Sequence, residues 1–207
     1  MTARRRTMVA AATAVVALMI ALVGHATADE RVDITATDGV QLVGELAGSN
    51  GPGVVLVPAE RATRDTWQAA AQALAARGFR VLRFDLRGHG ESSGGVDLAA
   101  AARDVEGAFR YLLARKIRPV FLVGAGIGGT AALVAAQRVP AAGVVVASAP
   151  DAADGLDGAV ARRTLTVPVR FADDWKTGAA SGAAIFAEPR ALDALVRFLN
   201  DASAPPR

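Results

Sequence analysis

The sequence predicts an α/β fold with one mixed, mostly parallel sheet covered by helices on both faces. Three observations lead to this prediction. Short, continuous apolar runs typical of buried strands recur along the chain, as at 54–57, 120–123 and 143–147. Segments with the apolar spacing of helices separate them, and a hairpin precedes them. A chain of 207 residues, 52% of them hydrophobic, is long enough to bury the core of one such domain.

The first half of the chain begins with a hairpin. Residues 32–36 and 41–46 lie on either side of Asp38-Gly39, a dipeptide typical of tight turns, and predict two antiparallel strands. The continuous apolar run at 54–57 predicts a buried strand. Residues 65–76 have apolar side chains at helical spacing and are followed by a glycine, which predicts a helix that stops there.

The second half repeats the strand and helix pattern. Asp97 is placed to cap a helix to Ala114, because aspartate accepts hydrogen bonds from the first amides of a helix. The remaining elements are expected as strands at 80–84, 120–123, 143–147 and 167–171, a loop at 85–95, and helices at 130–137 and 190–199.

The first 28 residues have the pattern of an export signal. Arg4-Arg5-Arg6 precede an apolar run at 8–23, and Ala26-Thr27-Ala28 has the small residues of a cleavage site. The run is shorter than the roughly 20 residues that span a bilayer. We therefore predict a signal peptide at 1–28, a domain at 29–207, and a periplasmic, cell-envelope or extracellular location after cleavage near Ala28. An uncleaved membrane anchor is the alternative, and Arg5-Arg6 leaves the Sec and twin-arginine routes open.

The charge balance argues against nucleic acid as a partner. The chain has 23 basic and 20 acidic residues, and three of the basic ones lie in the leader, so the predicted mature domain has equal numbers. Its basic residues are scattered instead of forming a block with aromatics. Because the sequence contains no cysteine, disulfides, thiolate chemistry and zinc-thiolate sites are excluded. No cluster of histidines or carboxylates predicts a metal site.

A glycine-rich block between a strand and a helix is the main candidate for a functional site. Residues 124–129 read GAGIGG. With Gly124, Gly126 and Gly129 as GxGxxG, the block could bind the pyrophosphate of a dinucleotide at a helix N-terminus. With Gly124 and Gly128 as the outer glycines of GxSxG, it would be a nucleophile elbow whose serine is replaced by Gly126.

A second motif favours the nucleophile elbow. Residues 80–92 read RVLRFDLRGHGES, which resembles the strand and DxRGHGxS loop of the α/β-hydrolase family. The resemblance extends over 32–201 and implies the α/β-hydrolase fold. No long insertion follows Val146, so the similarity is to the small members without a lid domain, of the dienelactone-hydrolase-like or serine-aminopeptidase-like kind.

The resemblance implies a catalytic triad in the order serine, acid, histidine, and two of these positions are substituted. Gly126 stands at the nucleophile position, and Ser181, in the sequence SGAAIF, stands at the expected histidine position. Asp173 or Asp174 lies near the position of the acid. The chain's two histidines do not fill the gap, since His25 is in the leader and His89 is in the RGHG loop, where the family's histidine is structural.

The position of the oxyanion hole also differs from the family pattern. Small members have a His-Gly pair after the third strand, and this chain has Pro58-Ala59. The amides of Ala59 or Glu60 and of Ile127 could still point toward a bound anion. Pro58, Glu60 and Ser148, which follows a strand end, are predicted to line a possible pocket there.

These substitutions predict a pseudoenzyme, an exported α/β-hydrolase-fold protein without an intact triad that binds a small ligand or acts as an accessory protein. No cofactor is expected. Contact with a membrane is expected only if the N-terminal segment stays uncleaved. Two alternatives stay open: a carboxylic-ester or related hydrolase with an unrecognised nucleophile, and a dinucleotide-binding protein. Other candidate nucleophiles have little support, because Ser92 and Ser93 end the RGHG loop and Lys116 and Lys176 lie in no family motif.

Overall fold

The computed structural model describes residues 29–148, 152–153, 156–157, 169–174 and 181–204. The predicted leader at 1–28 lies outside these ranges. The strands are β1 (Glu30–Thr35), β2 (Gln41–Ala47), β3 (Gly53–Val57), β4 (Arg80–Phe84), β5 (Val120–Ala125), β6 (Gly143–Ala147), β7 (Ala152–Ala153), β8 (Leu156–Asp157) and β9 (Val169–Phe171). The α-helices are α1 (Gln68–Ala75), α2 (Ala101–Ala114), α3 (Ile127–Ala135) and α4 (Pro189–Ser203).

The strands form a mixed sheet in the order β1-β2-β4-β3-β5-β6-β9, with β7 and β8 as a separate small hairpin. β1 pairs antiparallel with β2, and β2 pairs antiparallel with β4. The pairings of β4, β3, β5, β6 and β9 are all parallel. The predicted mixed, mostly parallel α/β sheet is therefore confirmed.

Helices cover the sheet on both faces, as the continuous apolar strands require. In β3, Val55 and Val57 belong to the core on the side of α2 and α3, whereas Val54 and Leu56 belong to the core on the side of α1 and α4. Because successive side chains of a strand point to opposite faces, a strand that is apolar throughout fills both cores.

Several element boundaries differ from the prediction. The helix predicted at 130–137 begins earlier, at Ile127, directly after the turn that contains Gly126. Asp97 does cap a helix, accepting a bond of 3.1 Å from the Ala100 amide, but the first turn is a 3-10 turn at Leu98–Ala100. The β7-β8 hairpin was not predicted. The predicted absence of a lid concerns residues after Val146, many of which lie outside the described ranges.

In the part of the chain that the structure describes, no helix combines the length and the apolar character needed to span a bilayer.

Candidate functional site

Gly126 lies in the sharp turn between β5 and α3, at the carboxyl edge of the parallel strands. Its φ of +53° and ψ of −130° are in a region that non-glycine residues seldom adopt. Its amide donates to the carbonyl of Ala147 at 2.9 Å, and its carbonyl accepts from the amide of Gly129 at 3.0 Å. The turn is therefore held both to β6 and to the first turn of α3.

The outer glycines of the block are required by close backbone contacts. A Cβ atom at Gly124 would lie 2.4 Å from the carbonyl oxygen of Gly128, and one at Gly128 would lie 2.2 Å from the carbonyl oxygen of Pro58. Both distances are far below van der Waals contact. The glycines of the GxSxG frame are thus the ones that let β5, α3 and the end of β3 approach each other.

Ala59, predicted to contribute an amide, is next to the turn. A Cβ built on Gly126 would lie 3.1 Å from the Cβ of Ala59, so the methyl group of Ala59 limits the space above the glycine. Glu60, another predicted pocket residue, instead pairs with Arg61 at 3.5 Å on the surface. The amide of Ile127, the first residue of α3, has no acceptor within the helix, as for the first amides of any α-helix.

Three segments meet beside this turn through Ser148. Its amide donates to Oδ2 of Asp173 at 2.6 Å, and its hydroxyl donates to Oδ1 at 3.0 Å. The amide of Gly182 donates to the Ser148 hydroxyl oxygen at 3.1 Å. A Cβ at Gly182 would be 3.7 Å from the Cβ of Ala125, so this group lies against the end of β5.

Of the two aspartates considered from the sequence, Asp173 therefore belongs to the cluster, whereas Asp174 is exposed. Ser181 immediately precedes Gly182 in an extended conformation and is exposed. Ser148 itself has a φ of +52°, which costs a non-glycine residue about 1 to 3 kcal/mol. Its bonds to Asp173 and Gly182 hold it in that conformation.

The DxRGHGxS loop is organised by Asp85, which is fully buried. Its carboxylate accepts from the amides of Arg64 at 2.7 Å and Glu91 at 3.1 Å, and it also pairs with the Arg64 guanidinium. The hydroxyl of Ser92 donates to the Asp85 carbonyl at 2.7 Å. Ser92 therefore binds the backbone, as its position in the motif implies.

The only histidine in the described ranges, His89, also has a backbone contact in this loop. Its Nδ1 lies 2.9 Å from the carbonyl oxygen of Arg87. His25 and Lys176, two other residues weighed from the sequence, lie outside the described residues. Within those residues no group of three or more histidines and carboxylates is arranged to hold a metal ion.

Arg87 connects the loop to two other elements. Its guanidinium donates to both carboxylate oxygens of Asp38, at 2.8 and 2.9 Å, and to Oδ1 of Asp104 on α2. Hydrogen bonds from Arg87 lower the pKa of Asp38 to about 2. Burial raises the pKa of Asp104, against the opposing effect of Arg87.

The sequence predicts the position of the turn but not its hydrogen bonds. Ser148 was expected only as a pocket residue, and its pairing with Asp173 had no sequence signal beyond two polar residues at strand ends. The contact between Arg64 and Asp85 had no signal in the sequence, since Arg64 is in no motif.

The comparisons with known proteins concern the family and the fold. No curated protein matches the chain. An esterase of Pyrococcus furiosus is 23% identical, with a TM-score of 0.55 over 59% of this chain and 52% of that one; this likeness concerns the fold. An esterase of Exiguobacterium antarcticum is 25% identical, with a TM-score of 0.52 over 62% and 50%.

A thermophilic esterase of Thermogutta terrifontis, solved with malate bound, is 32% identical, with a TM-score of 0.52 over 60% of this chain and 47% of that one. The chain thus spans about half the length of the esterases that it matches. The family model described as serine aminopeptidase, S33, matches residues 54–197. Because this match covers more than half of the sequence, the chain belongs to the S33 serine aminopeptidase family of α/β-hydrolases.

Proposed function

We propose that the protein is an exported member of this family that has no working serine-histidine-aspartate triad. We propose further that it binds a small ligand near Gly126. The observation that carries the proposal is the turn between β5 and α3. Its central residue has no side chain, and the nearby carboxylate of Asp173 accepts hydrogen bonds from Ser148. In a working triad the acid orients a histidine, whereas here Asp173 accepts hydrogen bonds from Ser148.

The absence of two triad members supports loss of function more strongly than the absence of one. A serine hydrolase loses most of its rate when its nucleophile is removed, and removing the base as well costs little more. Selection for the base would therefore end once the nucleophile was lost. A serine at the predicted histidine position, Ser181, fits this order of events.

The groups left around Gly126 are suited to a small anion. The amides of Ala59 and Ile127 are donors near the N-terminus of α3, where the helix dipole favours negative charge. Pro58 and the hydroxyls of Ser148 and Ser181 complete the proposed pocket. The Thermogutta terrifontis esterase was solved with malate, which makes malate a suitable first probe.

Calorimetric titration with malate tests the binding proposal. We expect saturable binding that is lost in Ala59→Leu, because a larger side chain fills the space that Ala59 borders. Ala76→Leu, at an exposed position after α1, is the matched control and should bind as the wild type does. Equal binding by wild type and Ala59→Leu would place the ligand elsewhere.

A second candidate function is hydrolysis with Ser148 as the nucleophile. It is favoured by one observation, the direct hydrogen bond from the Ser148 hydroxyl to the Asp173 carboxylate. A carboxylate is a weaker base than an imidazole, so any such activity should be low.

Turnover of short nitrophenyl esters, together with fluorophosphonate labelling, separates the two functions. We expect no labelling and no turnover above buffer in the wild type. Ser93, an exposed serine of the RGHG loop, provides the control. Turnover that disappears in Ser148→Ala but persists in Ser93→Ala would refute the proposal of an inactive protein and establish the second function.

A further inference from the structure

A basic depression of about 400 Å³ lies at the edge of the sheet opposite Gly126. Three segments line it: the turn between β2 and β3 (49–52), the first residue of β4 (Arg80), and the connection between α2 and β5 (115–118). Each segment lies at the amino end of a parallel strand, whereas Gly126 follows the carboxyl end of β5. The depression is therefore separate from the site described above.

Four cationic side chains line this depression: Arg80, Arg115, Lys116 and Arg118. Arg115 pairs with Glu30, at 3.0 Å to both carboxylate oxygens. Nη1 of Arg80 donates to the carbonyl of Ser49 at 3.0 Å. Among the described residues, the side chains of Lys116 and Arg118 have no hydrogen-bond or ion-pair partner, so the depression keeps a net positive charge.

The end of α2 does not account for this cluster. Helix ends favour nearby cations, but the last carbonyls of α2 already accept from backbone amides. The carbonyl of Leu112 accepts from Arg115 and Ile117, both at 3.1 Å, and that of Leu113 accepts from Lys116 at 2.9 Å. Arg80 comes from a different segment, so its presence here follows from the tertiary fold and not from helix capping.

Among the described residues, buried polar atoms without a hydrogen-bond partner occur in Arg80, which lines the depression, and in Tyr111, which contacts the lining residue Arg115. They are Nε of Arg80 and the phenol oxygen of Tyr111. The Arg115 guanidinium lies over the Tyr111 ring, 4.5 Å from its centroid. A buried polar group without a partner is unfavourable, and a bound water or ion is one way in which such a group is satisfied. Arg115 therefore has two partners, the Tyr111 ring and the Glu30 carboxylate.

We propose that this depression is a binding site for a phosphate group. Guanidinium groups match the geometry of phosphate oxygens, and ammonium groups add charge. The phosphate can come from a soluble phosphate ester or from the headgroup of an anionic lipid. If the leader stays uncleaved in the membrane, the depression would lie close to lipid headgroups. This follows because Glu30, the first residue of β1, contacts Arg115 at this same edge.

Heteronuclear NMR titration with inorganic phosphate tests the site directly, using protein purified after expression of the full sequence. Sodium chloride at matched ionic strength is the reference. We expect saturable shifts of the amides at 49–51 and 116–118 with phosphate only. The double variant K116A/R118A should bind at least about tenfold more weakly, since it loses two charge-assisted contacts.

The matched control is R190A/R197A, which removes two cations from α4, where they line a different surface depression with Asp193. It should bind phosphate as the wild type does. Shifts that chloride reproduces, or equal weakening by both double variants, would overturn the proposal, because either result indicates general charge screening.

Sedimentation with vesicles separates the two sources of phosphate. Binding to phosphatidylglycerol vesicles but not to phosphatidylcholine vesicles, weakened in K116A/R118A only, identifies a lipid headgroup. Phosphate binding in solution without vesicle binding identifies a soluble phosphate ester. Absence of both overturns the proposal and leaves the function proposed at Gly126 unaffected, since malate binding is measured at the opposite edge.

Discussion

At the scale of single residues, the proposed loss of the triad depends most on Gly126. The turn from β5 into α3 needs a positive φ at its centre, and glycine adopts it without the steric cost of a Cβ atom. A serine at this position pays that cost in an active enzyme because its hydroxyl is needed. Once the hydroxyl is not needed, glycine is the residue that this backbone prefers.

We predict that Gly126→Ser destabilises the protein by about 1 to 3 kcal/mol and creates no esterase activity. The new Cβ would be strained at φ +53° and would lie 3.1 Å from the Cβ of Ala59. Chemical denaturation and nitrophenyl ester hydrolysis measure the two effects.

The matched control for this variant is Gly95→Ser. A Cβ at Gly95 meets no atom within 4 Å, so its stability should be close to that of the wild type. A Gly126→Ser protein as stable as Gly95→Ser would contradict the strained turn. Ester turnover by Gly126→Ser alone would contradict the claim that the base is missing.

At the scale of elements, ionic contacts hold the DxRGHGxS loop together with its backbone hydrogen bonds. Arg87 bridges Asp38, in the turn between β1 and β2, to Asp104 on α2. Arg64 and Asp85 make a second bridge to the segment before α1. The DxRGHGxS motif therefore has a structural role here, since it connects its loop to three other segments of the chain.

We predict that Asp38→Asn lowers the free energy of unfolding by about 1 kcal/mol at neutral pH, with allowance for the partial exposure of the pair. The folded-state pKa of Asp38 is about 2, below its ordinary value of 3.8. Its stabilisation is thus fully present above about pH 4 and is lost as the pH falls through about 2.

Denaturation of wild type and Asp38→Asn between pH 2 and 7 tests this prediction. The difference in stability between them should be largest at neutral pH and should shrink toward pH 2. Asp33→Asn, at an exposed position on β1, should show a smaller effect. A difference that stays constant with pH would mean that Asp38 contributes through packing and not through its charge.

At the scale of the whole molecule, one ion pair involves the residue next to the predicted cleavage site. Oδ2 of Asp29 lies 3.2 Å from Nη2 of Arg83, and β1 starts at the next residue. Cleavage near Ala28 would leave Asp29 in place to make this contact. The division into a signal peptide at 1–28 and a domain at 29–207 stays a prediction.

We predict that the exported protein begins at Asp29. Mass spectrometry of the protein recovered from outside the cytoplasm measures this directly. Ala28→Phe should block cleavage, because signal peptidase needs a small residue there, and should leave the full-length mass. Thr27→Val, at the tolerant middle position, should be processed normally. A full-length mass for the wild type would favour the uncleaved anchor.

Most of the fold could be predicted from the sequence because it depends on local patterns. The apolar run that predicted a strand at 54–57 appears as β3, and the strand predicted at 80–84 appears with the same limits as β4. The start of α3 was predicted three residues late, because glycines have low helix propensity. Tertiary contacts override that propensity, since Gly128 packs against the carbonyl of Pro58.

The candidate site was predicted less completely because it is assembled from distant segments. Motif order located Gly126 and Ala59, which the structure brings together. The bonds among Ser148, Asp173 and Gly182 join three segments through single atoms, and no periodicity or motif reports such contacts. Three cations of the basic depression are neighbours at 115–118, but Arg80 is far from them in sequence, so the sequence does not indicate that all four lie together.

The sequence by itself determined the family resemblance, the order of the elements and the absence of a side chain at Gly126, because these depend on residue identity and local pattern. Only the tertiary structure decided what surrounds that position. It places Ala59 over Gly126, engages Asp173 with Ser148, and gathers the basic depression at the opposite edge. These arrangements depend on how distant segments pack against one sheet, which local preferences do not specify.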